Sequence, residues 1–274
     1  MFLQRLIVAI VLLPIGLFAL FGGEVSFAIL MAIVTEIAVW EYCRLFRIGG
    51  YKPAGFLLFG GVLVIYSANL LIGQPAGLFS YVLFGLMIAG WHLWQYERGR
   101  DLSLLDALVS MTGLFLVGFL GGFFILLRSL PGGEWWVLVV LSTVWLADVG
   151  GYLFGSWLGK NLIAPRISPK KTWEGYVAGV FVSVIGSPLL LLLYQRFQLP
   201  VYETITYKAV ILLAVVMSVV SILGDLFISL FKRYFGEKDT GKILPGHGGI
   251  LDRMDSWIWA VALGYYLITA IILS

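Results

Sequence analysis

The sequence predicts an all-α, polytopic integral membrane protein of about nine transmembrane helices, with the N-terminus cytoplasmic and the C-terminus external. Three observations carry that prediction. Of 274 residues, 61% are hydrophobic and only 12% charged, too little polar surface to cover a water-soluble globule of this size. Nine runs are apolar and long enough, at around 20 residues each, to cross about 30 Å of hydrocarbon. They lie near 6–23, 25–45, 55–73, 78–96, 105–128, 135–157, 175–195, 207–231 and 257–273. With nine spans, every even-numbered connection lies on the side of the N-terminus. That side collects Arg5, Arg44, Arg47, Lys52, Arg98, Arg100, Lys160, Arg166, Lys170, Lys171, Lys232, Arg233, Lys238, Lys242 and Arg253, which is 15 of the 18 Lys and Arg residues. Only Arg128, Arg196 and Lys208 fall opposite, and a miscounted helix before residue 160 would scatter the charges.

Taken in order, the first span begins after Arg5 with a basic start and an apolar middle, as a signal peptide does. No small-residue cleavage site precedes a soluble domain, so it is expected to be retained. The second carries Glu36 at mid-span, where an ionisable side chain costs at least ~2.5–3.5 kcal/mol and is a functional candidate by default; the bland alternative is a partner for helix packing. Cys43, near the end of that span, is the only cysteine, which excludes an internal disulfide framework and a Cys-rich metal site. His92, within WHLWQ at the end of the fourth span, reads as an interfacial residue. Gly113, Gly118, Gly121 and Gly122 in the fifth would allow close helix packing. Residues 1–130 are therefore expected to form an N-terminal transmembrane scaffold, and 131–274 a C-terminal catalytic region with cytoplasmic loops at 158–174 and 232–256.

The sixth and eighth spans place Asp148, in ADVGG, and Asp225, in LGDLF, toward their cytoplasmic ends. Asp252 and Asp255 enter just before or at the start of the ninth helix, three residues apart and so on one face. These four carboxylates are expected to converge near one boundary, ringed by lysine and arginine. Neither half of that arrangement is stable alone, which points to a divalent cation and a polyanionic substrate. The stretch from Ser229 to Asp255, SLFKRYFGEKDTGKILPGHGGILDRMD, is the most polar part of the chain. It sets Lys232, Arg233, Lys238, Lys242 and Arg253 beside Asp239 and two glycines, Gly248 and Gly249, whose amides no side chain shields. His247, in PGHGG, is open to a phosphate-contacting or a structural role. The earlier loop holds Arg166, Ser168, Lys170, Lys171, Thr172, Trp173 and Glu174. Its bland reading is a basic anchor with an interfacial tryptophan, and the second basic loop on the same side weighs against it.

The order Ser229-x-x-Lys232-Arg233, Lys238-Asp239, Gly241, Leu244-Pro245, His247-Gly248-Gly249 and Asp252-Arg253-x-Asp255 resembles the signature of phosphatidate cytidylyltransferases, without departure. Ser168-Pro169-Lys170-Lys171-Thr172-Trp173-Glu174-Gly175 is similar to the corresponding segment of bacterial members. The resemblance covers the C-terminal half; the first 130 residues match only in general character. It implies that CTP and phosphatidate react to give CDP-diacylglycerol and pyrophosphate, with magnesium required and the number of ions open. Asp225 and Asp252 are then the first choice for the metal, with Asp148 and Asp255 as further ligands or anchors. Lys232, Arg233, Lys238, Lys170 and Lys171 are expected on triphosphate and lipid phosphate, and Arg166, Ser168, Thr172, Ser229, Asp239, His247, Gly248, Gly249 and Arg253 elsewhere in substrate binding. A prokaryotic cytoplasmic membrane, an active site facing the cytoplasm, a homodimer and no nucleic-acid partner complete the expectation.

Other readings stay open at this level. A dolichol-kinase-like phosphotransferase, or an archaeal-type synthase using another lipid, shares the metal and nucleotide logic. A transporter would use Glu36, Asp148 and Asp225 along a cation path, but its charges would not concentrate at one end, and no inverted repeat is evident. A purely structural membrane protein offers no reason for carboxylates beside basic loops.

Overall fold

A computed structural model describes residues 2–197, 199, 205–244, 246 and 248–272. Ten α-helices account for most of them: α1 (Phe2–Phe21), α2 (Glu24–Ile48), α3 (Gly55–Leu71), α4 (Gln74–Glu97), α5 (Ser103–Gly113), α6 (Phe123–Arg128), α7 (Gly133–Leu158), α8 (Trp173–Arg196), α9 (Tyr207–Tyr234) and α10 (Leu251–Leu267). Among the described residues, six helical rods are long and apolar enough to cross a membrane: 24–48, 74–97, 103–128, 133–158, 173–196 and 207–234. Shorter apolar helices occupy Ile10–Phe21 and Gly55–Leu71. The protein is thus all-α and multi-pass, and each predicted span coincides with a helix. Large apolar side chains such as Phe18, Leu71, Trp145, Tyr152 and Trp157 stand exposed, as they must where the surrounding solvent is hydrocarbon.

The only strands among the described residues form a small antiparallel hairpin, β1 (Leu162–Ala164) and β2 (Ser168–Thr172), in what reads from sequence as loop. The ninth predicted span also starts early. Helix α10 begins at Leu251, so Asp252 and Asp255 lie in its first turns, the second of the two placements expected.

The chain divides into two compact units. The first comprises residues 1–129 with 234–254. Its fifth rod joins α5 to α6 through a π-helical segment, Leu114–Leu120. Tyr66 donates to the Val117 carbonyl at 3.2 Å and the Asn69 amide to the Gly122 carbonyl at 3.1 Å, so side chains take up acceptors where the regular ladder is interrupted. Gly113 admits the Tyr42 ring, and Tyr42 donates to the Val109 carbonyl at 2.7 Å. His92, expected at an interface, is instead buried, its Nε2 3.0 Å from Ser110 Oγ. The reason is local: α5 folds back on α4, and Ser110 also takes the Ala54 amide at 2.9 Å. Asp106 accepts from the Lys52 amide at 2.8 Å and from Arg100 Nε at 2.8 Å, tying the connections that follow α2 and α4. Cys43 is buried. One oxygen of Glu36, Oε1, is buried with no hydrogen-bond partner among the described residues.

The second unit comprises residues 130–233 with 255–274. Helices α7 and α8 pack through small residues at fourfold spacing, Gly151 and Gly155 against Gly175 and Gly179. A Cβ on Gly175 would lie 2.8 Å from the Gly155 Cα, closer than any side chain allows. Ser183 donates to the Thr143 carbonyl at 2.8 Å across the same seam.

Candidate active site

In the second unit, α9 carries Asp225, Ser229 and Lys232 on successive turns of one face. Ser229 donates to Asp225 Oδ1 at 3.0 Å, and Lys171, from β2, forms an ion pair with Asp225 Oδ2. Lys232 is buried and lies in electrostatic reach of both Asp225 and Asp255. Asp255 is brought here by close approach of α10 to α9. A Cβ at Gly224 would stand 2.6 Å from the Asp255 carbonyl oxygen and 2.7 Å from Trp259 Cδ1, so only glycine lets the helices meet. Two acids and two lysines therefore gather where α9, α10 and the hairpin meet.

The hairpin explains how the lysines are sorted. Along β2 successive side chains alternate, leaving Lys170 exposed while Lys171 turns toward Asp225. Ser168 is half-buried in β2, and Arg166 is exposed at the turn. Thr172 serves as the N-cap of α8, accepting from the Gly175 amide at 3.2 Å. Glu174 holds the strand entering the hairpin, accepting from the Lys160 amide at 3.1 Å and from Asn161 Nδ2 at 2.6 Å. Arg233 donates to the Ile167 carbonyl at 3.1 Å. Asp148 stands on an exposed face of α7.

The first unit holds the rest of the polar stretch. Asp252 is buried, and its Oδ2 accepts from the Thr240 amide at 2.8 Å, the Thr240 hydroxyl at 3.1 Å and the Gly249 amide at 2.9 Å. The Gly249 amide, expected to be open to phosphate, is thus committed to Asp252. Gly248 adopts φ +81°, a conformation open to glycine, and its carbonyl takes the Leu244 amide at 3.0 Å to close a tight turn. Lys238, Asp239, Lys242 and Arg253 are exposed around this turn. His247 lies outside the described residues.

One participant has no counterpart in the sequence reading. Glu41, on α2, is fully buried; its Oε2 accepts from the Leu251 amide at 2.9 Å and the Thr240 hydroxyl at 3.1 Å. Its only sequence signal is a carboxylate inside an apolar helix, nearer the helix end than Glu36.

Among the described residues, no three His, Cys, Asp or Glu side chains lie close enough together to cage a metal by themselves. Asp225 and Asp255 are nevertheless carboxylates in mutual electrostatic reach with the Ser229 hydroxyl adjacent, which is a set of hard oxygen donors. Such a set, completed by water and phosphate oxygens, fits magnesium, which is held through one or two carboxylates rather than a full protein cage.

Comparison with known proteins bears on the chain as a whole. Residues 3–271 match the profile of the Cytidylyltransferase family. A phosphatidate cytidylyltransferase of Staphylococcus aureus strain COL is 34% identical over 270 residues, covering 95% of each chain. One from Staphylococcus saprophyticus is 32% identical over 266 residues, covering 94% of this chain and 96% of the relative. Another, from Synechocystis sp., is 31% identical over 301 residues, covering 98% and 97%.

Proposed function

The chain belongs to the cytidylyltransferase family, and from that premise we propose that it transfers CMP from CTP to phosphatidate, forming CDP-diacylglycerol and releasing pyrophosphate. The observation that carries this reading is similarity over nearly the full length to relatives of that name. The acid–lysine cluster of the second unit supplies the chemistry such a transfer asks for.

A phosphatidate oxygen attacks the α-phosphorus of CTP; the bond from that phosphorus to the bridging oxygen breaks, and its electron pair leaves with pyrophosphate. The attacking oxygen is already an anion near neutral pH, so no strong general base is required. The barrier comes from repulsion between two anions and from charge growing on the leaving group, so fixed cations and positioning carry the rate enhancement. Lys171 is suited to this because its ion pair with Asp225 holds it in place, and Lys232 because it is buried within electrostatic reach of Asp225 and Asp255. Asp225 and Asp255 would hold magnesium, which when bound neutralises phosphate charge. The exposed Arg166, Lys170, Arg233, Lys238 and Arg253 would contribute positive charge that attracts anionic substrates.

The bias of basic residues supports a bilayer setting with both polar segments facing the cytoplasm, where a soluble nucleotide arrives while the lipid tails stay in hydrocarbon. For a homodimer, resemblance is the support that stands. The glycine-bearing rod at 103–128 uses its glycines within the chain, against Tyr42, Ile65, Leu114 and Asn69. The test is a purified preparation in detergent micelles given CTP, phosphatidate and Mg2+. Pyrophosphate and a CMP-bearing lipid are expected; release of CDP with a newly phosphorylated lipid would assign a kinase instead.

A further inference from the structure

We propose that Glu41 is a positioning residue, whose buried carboxylate fixes the 240–251 segment against α2 and thereby sets the carboxylate of Asp252. The proposal rests on the cytidylyltransferase reading for its effect on turnover, though not for its effect on the segment.

Two hydrogen bonds converge on Glu41 Oε2. The first amide of α10, that of Leu251, has no partner inside its helix, and Glu41 Oε2 satisfies it from a position 210 residues earlier in the chain. A carboxylate at a helix N-terminus is also favoured by the helix dipole. The Thr240 hydroxyl lies 3.1 Å from Glu41 Oε2 and 3.1 Å from Asp252 Oδ2, so its single hydrogen is shared between the two carboxylates and links them. Arg44, three residues on and on the same face of α2, donates from Nη1 to the Thr240 carbonyl at 3.3 Å. Lower on the helix, Phe46 packs edge-on against Phe235 at 5.1 Å between ring centroids. The last turns of α2 therefore grip the segment at residues 235, 240 and 251.

This grip also explains two glycines of the signature. A Cβ at Gly241 or at Gly249 would run into the Glu41 carboxylate. Burying a carboxylate is unfavourable unless its acceptors are used; Oε1 is buried with no hydrogen-bond partner among the described residues, while Oε2 has the Thr240 hydroxyl and the Leu251 amide as donors. The groups it captures are the ones that lead into Asp252.

The test compares Glu41→Gln, Glu41→Asp and Glu41→Ala with wild type in micelles, measuring kcat and KM, together with hydrogen exchange in peptides covering 239–252. Gln offers a carbonyl oxygen at the same reach, whereas Asp keeps the charge but is about 1.5 Å shorter. The proposal expects Gln to retain most of the wild-type kcat. It expects Asp and Ala to lose about 10- to 100-fold in kcat, as displacement of Asp252, the carboxylate the sequence assigns to the metal, by around an ångström would, with faster exchange confined to 239–252. Should Glu41→Ala fail to fold, the order of Gln above Asp still decides. An Asp variant as active as Gln, or an Ala variant with wild-type kcat per folded protein, overturns the proposal. A wild type that makes no CDP-diacylglycerol overturns the reaction instead, and the exchange pattern then tests the positioning separately.

Discussion

Gly224→Ala is the smallest change that bears on the acid–lysine cluster without removing any of its charges. The added Cβ would stand 2.6 Å from the Asp255 carbonyl oxygen, 2.7 Å from Trp259 Cδ1 and 3.1 Å from Ser256 Cα. Ordinary contact begins near 3.4 Å, so α9 and α10 must separate locally by about 0.8 Å. Two of the three obstacles are backbone atoms, which no rotamer change can move. The overpacking should reduce stability by about 1–3 kcal/mol. Because Asp255 rides on the displaced turn, its distance to Asp225 changes too, and turnover should fall by about 10- to 100-fold. The assay is CDP-diacylglycerol formation per folded protein, with thermal unfolding measured on the same preparation. Gly85→Ala and Gly90→Ala on α4 are the controls, since a Cβ at either meets nothing within 4 Å. Activity of Gly224→Ala within twofold of these controls would refute the reasoning.

Lys171→Gln removes one partner of an ion pair whose side chains are about a quarter exposed, so stability should change by under about 1 kcal/mol. Turnover should fall on the order of 100-fold, because a fixed cation facing phosphate is lost; calorimetry beside the lipid assay separates the two effects. Asp106→Ala should do the opposite. It strands the Lys52 amide and Arg100, lowering stability by about 1.5–3 kcal/mol while leaving kcat per folded protein within twofold. Chelation of divalent cations should abolish CMP transfer, and added Mg2+ should restore it; full activity in chelator would remove magnesium from the account.

The helices were legible because hydrocarbon demands long apolar runs; nine spans were expected, and among the described residues six helices are long and apolar enough to cross a membrane. The association of Lys171 with Asp225 was legible only in outline. Basic residues and carboxylates were expected together, but which lysine turns inward depends on the alternation of β2, and Ser-Pro-Lys-Lys-Thr reads as loop until the hairpin is seen. Thr172 shows the same limit, since its hydroxyl caps α8. Glu41 was beyond reach of pattern because its partners lie 199 and 210 residues away in sequence. No periodicity encodes such a contact. The glycines at 241 and 249 were visible, but not that a Cβ at either would meet the Glu41 side chain on another helix.

The most direct test of the account is product formation by wild type and Asp225→Asn, purified side by side and supplied with CTP, phosphatidate and Mg2+. The account predicts that wild type yields CDP-diacylglycerol and an equal amount of pyrophosphate. It predicts that the folded variant yields neither at a measurable rate, since Asp225 orders Lys171, Ser229 and the acid pair together. A folded Asp225→Asn with wild-type turnover would contradict it.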